Sequence, residues 1–233
     1  MNDSGGVRGT PHELALLAGG ARAAVTVAVV ALHLRGAVEA GAPGTIRAVD
    51  SEAGRALPPL PPPGVSLDVA AEVAVGRVDA LTGEVRALYL ESAVYQCLDE
   101  PSEIRELLRH PDVRWALAEV RVGLAEAGML RAALLGPNRA ARRRIGILRK
   151  AFPLPSSRHG LTDERKLIAV ALHGKPALSA LVPRFALRAG LTERVRLRDK
   201  GLRHSAGGGT YGSGGSPLSC GGGGGCGGGG GGD

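Results

Sequence analysis

Six cations fall within residues 139–150: Arg139, Arg142, Arg143, Arg144, Arg149 and Lys150. At that density the chemistry on offer is anion binding, either to the phosphate backbone of a nucleic acid or to the headgroups of an anionic membrane. The run lies in a broader basic stretch, residues 136–204, with 17 Lys and Arg against 4 Asp and Glu. Its only aromatic companions are Phe152 and Phe185, so base stacking on single strands is disfavoured. A charge run of this kind is also commonly just a solvated helix face. Arginine makes up 25 of the 29 basic residues, beside abundant Ala, Gly, Val and Pro, as a GC-rich genome writes, so codon bias contributes to the basicity.

The other reactive side chains do not converge in the sequence. Cys220 and Cys226 stand in a polyglycine tract, where two thiolates with His204 as the nearest further candidate fall short of a four-ligand zinc site. Cys97 lies in an apolar helical pattern and reads as a small core residue. His33 reads as packed on an apolar helix, His110 and His159 fall at breaks, and His173 precedes a helix-ending glycine. Three cysteines close no disulfide framework, which fits a reducing compartment. The one Gly-Lys pair, Gly174-Lys175, is followed by proline and makes no P-loop. The glycine tract has no strand before it or helix after it, as a dinucleotide fingerprint needs. Tyr211 stands where a G-x-S-x-G elbow around Ser213 needs glycine. No catalytic residue, metal ligand or cofactor is therefore expected.

The elements that must carry the basic run are mainly helical. Aromatics are 3% of the chain and apolar residues 44%, so the core has to be built from Leu, Val and Ala. Residues 1–10 read as disordered. A short helix begins at Pro11 and breaks at Gly19 and Gly20; a second, AAVTVAVVALHL over residues 23–34, is apolar on nearly every face and predicts burial on all sides. At 12 residues it is too short to span a bilayer. Gly36 suits a helix end, and AVEA and TIRAVD predict a small hairpin. The LPPLPPPG stretch, residues 57–64, reads as an extended linker between an N-terminal unit, residues 11–56, and a C-terminal unit, residues 65–203. Further helices are expected from about Glu84 to Leu98, from Ser102 as N-cap, from Pro111 to Gly128, through GPNRAARRRIGILRK, in LTDERKLIAVALHG with Thr162 as cap and Gly174 with Pro176 as terminator, and over residues 184–189. Residues 204–233 read as a disordered glycine- and cysteine-rich tail.

An internal echo appears at an offset of 92 residues: Leu16, Arg22, Ala24, Val25, Leu32, Gly36, Val38 and Ala40 align with Leu108, Arg114, Ala116, Leu117, Leu124, Gly128, Leu130 and Ala132. Short helix, break, amphipathic helix, glycine and apolar exit is the order of the helical half of a winged helix. TIRAVD would be the wing of the first copy, and the second copy is expected to lack one.

The stretch ELALLAGGARAAVTVAVVALHLRGAVEA, with ERKLIAVALHG and the Gly/Cys run, resembles an uncharacterised actinobacterial family. Its members pair a helical domain with a low-complexity tail, and many carry transmembrane segments. The resemblance rests most on Leu17-Ala18-Gly19-Gly20 with Arg22 and on Leu34-Arg35-Gly36, and it implies no activity. The opening MNDSGGVRGTPHE lacks the charged-then-apolar order of a signal peptide, so the expected location is the cytoplasm, with peripheral membrane association suggested only by the resemblance. The expectation is a mainly α, winged-helix-like, non-catalytic interaction or scaffold protein with an unidentified protein partner. Nucleic-acid binding, or peripheral binding of anionic membrane through residues 139–150, is the alternative.

Overall fold

Thr10 starts the first helix in the way its sequence dictates. Its hydroxyl accepts from the Glu13 N–H, and the Glu13 carboxylate accepts from the Thr10 N–H at 2.8 Å, a reciprocal cap with Pro11 in the first turn. In this computed structural model, which describes residues 9–61, 82–131 and 136–192, the helix is α1 (Pro11–Leu34). It is not straight. Gly20 has φ 74° and ψ −166°, a backbone state that side chains rarely tolerate, and there α1 folds into two arms, residues 11–19 and 21–34. A straight helix of that length would hold its ends roughly 36 Å apart. Yet His12 near its start and Arg35 just past its end contact the same carboxylate, Glu91.

The second arm is the centre of the core. Ala24, Val25, Val27, Ala28, Val29, Val30, Ala31 and Leu32 are all buried, as an apolar surface on every face requires. Taken whole, α1 is long and apolar enough to cross a membrane by length and composition. The fold-back leaves neither arm with the about 20 residues a span needs.

After Gly36 the chain forms a two-stranded antiparallel hairpin, β1 (Val38–Ala40) and β2 (Ile46–Ala48), with Glu39 opposite Arg47 as an ion pair on its outer side. Ile46 is fully buried and also bridges to Ser102. Seven further helices carry no more strands between them, among the described residues: α2 (Glu52–Arg55), α3 (Gly83–Gln96), α4 (Ile104–Leu107), α5 (Pro111–Glu126), α6 (Arg139–Ala151), α7 (Asp163–His173) and α8 (Lys175–Leu181). A last short helix, α9 (Pro183–Arg188), completes the set. The fold is therefore mainly α with one small sheet. α1 packs most extensively on α7 and α3, and also on α5 and α6, so elements from both sides of the proline-rich stretch share one core. At the start of that stretch the Ser92 hydroxyl donates to the Pro58 carbonyl, and Leu57 and Leu60 rest on the core. Tyr89 meets Trp115 edge-on, ring centroids 6.3 Å apart, beside Leu60 and Val85.

The echo at offset 92 has a structural counterpart. Arg35, Gly36 and Ala37 donate to the carbonyls of Ala31, His33 and Leu32; Ala127, Gly128 and Met129 donate to Gly123, Ala125 and Leu124, each position 92 residues on. Gly36 and Gly128 take the positive φ this closure needs, 76° and 65°. Gly190 closes α9 in the same way, so the closure alone is a general solution; its coincidence with the element order gives the echo its content. Leu130 pairs with Pro137 in one antiparallel bridge before α6 begins.

Two local expectations need correction. Ser102 is not the cap of α4: it is held in the bridge to Ile46, and Glu103 caps instead, with Glu106 reaching back to its N–H at 2.9 Å. Pro176 does not merely end α7. Gly174, at φ 62°, turns the chain and Pro176 lies in the first turn of α8, where a missing N–H costs nothing. The readings made for residues 1–8, for 62–81, for 132–135 and for the tail from 193 onward lie outside the described residues.

Candidate functional site

α6 starts at Asn138, whose side chain accepts from the Ala141 N–H at 2.8 Å, and it buries a narrow stripe of Ala141, Ile145 and Leu148. Helical spacing then sorts the six cations. Arg139, Arg142, Arg143 and Lys150 point to solvent on the opposite face. Arg144 and Arg149 are in addition engaged by the protein. Arg144 is half-buried, with Nη1 3.7 Å from the Met129 sulfur, and the Arg149 Nε donates to the Leu172 carbonyl at 2.8 Å, satisfying an open acceptor at the end of α7. Arg149 stays exposed despite that bond, so the expectation of a solvated run holds for five of the six and fails at Arg144. Within the cationic face stands Ile147, 58% exposed, four residues after Arg143 and three before Lys150, and Leu154 beyond the helix is 41% exposed.

The α6–α7 pair is held at its ends by histidine. His173 Nε2–H donates to the Phe152 carbonyl at 2.8 Å. His33 is packed as its sequence context suggests: Nδ1–H donates to Val38 O at 3.1 Å, and its ring stacks on Phe185 at 3.7 Å between centroids.

A buried polar cluster sits where α1 closes on itself. Glu91, 7% exposed on α3, lies 3.3 Å from His12 Nε2 and accepts from Arg35. Burial pushes the Glu91 carboxyl up, but His12 and Arg35 together outweigh it and hold it below its usual value of 4.5. A second ion pair, from buried Arg86 to exposed Glu126 at 2.8 Å, ties α3 to the end of α5. Within them the His12 ring nitrogens and the Arg86 Nε are buried without a hydrogen-bond partner, while Glu126 reaches solvent.

One constellation was invisible in the sequence. Cys97 ends α3, His110 caps α5 and Asp112 lies in its first turn, and the chain through α4 brings one ligand-type atom of each within 4.8 Å of the others. His110 Nδ1 is buried, makes no hydrogen bond, and lies 3.5 Å from the Asp112 carboxylate. Burial, with the carboxylates of Asp112 and Asp99, pushes the Cys97 thiol up to about 12. That is the reverse of an activated nucleophile, which needs cationic neighbours. Neither Cys97 as a core residue nor His110 as a residue at a break indicated this meeting.

The winged-helix reading also acquires limits here. The second helix of the first copy, residues 21–34, is buried around its circumference and offers no groove-reading face. In the second copy α5 exposes Arg114 and Val122, with Glu126 on the same open side. Compared with models of protein families, with curated proteins and with solved structures, the chain matches none.

Proposed function

We propose that this chain is a non-catalytic interaction protein that docks on anionic membrane surfaces through α6. The observation that supports this is Ile147, exposed beside Arg143 and Lys150 at the edge of the row formed by Arg139, Arg142, Arg143 and Lys150. Cations alone suit any phosphate. An aliphatic side chain among them suits an interface with hydrocarbon below the phosphates, and it gains nothing from a duplex backbone. Each surface cation contributes about 1 kcal/mol at an anionic leaflet, so four give about 4 kcal/mol, or roughly a thousandfold in partition. Ile147 adds about 1 kcal/mol on partial burial.

Co-sedimentation with vesicles containing phosphatidylserine tests the reading. Retention should exceed that on neutral phosphatidylcholine vesicles. Replacing Arg139, Arg142, Arg143 and Lys150 by Gln should abolish it, and Ile147→Ser should weaken it about fivefold. Duplex DNA is the competing ligand. If duplex is bound more tightly than vesicles at physiological salt and Ile147→Ser changes nothing, nucleic-acid binding replaces the membrane reading. If neither surface is bound, the unidentified protein partner of a scaffold is what remains.

A further inference from the structure

We infer that Cys97, His110 and Asp112 form a site for a divalent cation of the zinc class, with three protein ligands and an open fourth position. This inference is independent of the membrane reading. The donor set is one thiolate, one imidazole and one carboxylate, each of them a zinc ligand, and the mixture of soft and borderline donors sets it apart from the all-oxygen sites of Mg2+ and Ca2+. Around a tetrahedral ion with ordinary bond lengths such atoms stand about 3.5 Å apart. Here they lie within 4.8 Å of one another and one pair is already at 3.5 Å, so side-chain rotation of about 1 Å closes the set. Asp112 has the room for it, since its side chain is half exposed.

One further observation points to a ligand. His110 Nδ1 is buried with no hydrogen-bond partner, an unmet polar atom directed at the thiol and the carboxylate. The step balances as Cys97–SH plus M2+ giving Cys97–S–M+ plus H+, with neutral His110 donating its Nδ1 lone pair and Asp112 ionised. Coordination would tie the end of α3 to the start of α5.

The test uses the full chain with Cys220→Ser and Cys226→Ser, which leaves Cys97 as its single thiol. Titration with Co2+ should give one ion per chain and a near-ultraviolet thiolate-to-cobalt charge-transfer band, displaced by Zn2+. Cys97→Ser should remove the band. Asp112→Asn and His110→Gln should each weaken Zn2+ binding at least about tenfold, since even outer partners of a metal site cost that much. Because Asp112 is half exposed, its variant keeps the test alive if Cys97→Ser fails to fold. Absence of the band in the parent overturns the inference. So does a Zn2+ affinity that both the Asp112 and His110 variants leave unchanged, which would mean adventitious thiol binding only.

Discussion

Replacing Glu91 by Gln removes one charge where two ends of α1 meet. Glu91 is 7% exposed, and the His12 side chain beside it 4%, while the Arg35 side chain keeps 39% of its surface in water. Breaking a fully buried pair costs about 3–5 kcal/mol because a charge is stranded. Here Arg35 can turn to solvent and the uncharged form of His12 strands no charge, so the loss falls to about 2–3 kcal/mol. For a domain of this size that lowers Tm by about 4–12 °C. The pH dependence carries the sharper signature. The Glu91 carboxyl is held below 4.5 in the fold, so its contribution is complete above 4.5 and is lost as pH falls through the lower folded value. Thermal melts followed by circular dichroism should therefore show a gap between native and Glu91→Gln chains at pH 7 that shrinks below pH 4.5. A gap of the same size at pH 3 and pH 7, or none at pH 7, refutes the clasp.

Val29→Asp should leave the chain unfolded or insoluble, since Val29 has no exposed surface and an unpaired charge there has no partner; a soluble variant with unchanged Tm would remove α1 from the core. Gly54→Ala should destabilise by about 1–3 kcal/mol, because its methyl would overlap the Tyr95 ring, whose hydroxyl donates to Val49 O at 3.1 Å; equal stability by urea denaturation would mean the ring has space to retreat.

Much of the fold was legible where local physics alone decides it. The all-round apolar pattern of residues 23–34 can only be satisfied by burial, and Thr162 caps its helix as read, whereas Thr10, read within a disordered start, is an ordered N-cap. The hairpin and the helices from Pro111, Asn138 and Thr162 lie where the pattern puts them. What local pattern leaves open is angle. Gly19-Gly20 announces a break, but only packing decides that the two arms fold back until His12 and Arg35 share Glu91. The same holds for side-chain roles within α6: spacing places six cations on a helix, yet Arg149 is drawn to the Leu172 carbonyl by a neighbour 23 residues on. Cys97, His110 and Asp112 match no motif spacing, and they meet because α4 returns the chain to the end of α3.

The edge-on pair of Tyr89 and Trp115 has an optical consequence. The chain has one tryptophan, so its intrinsic emission beyond the tyrosine band originates from a single half-buried indole at the α3–α5 contact. Trp115 stands one helical turn after Asp112 and on the same helix as the buried partner of α1. Slippage of α5 against α3 therefore changes the colour and quenching of that one fluorophore, and the protein carries its own label at that helix contact.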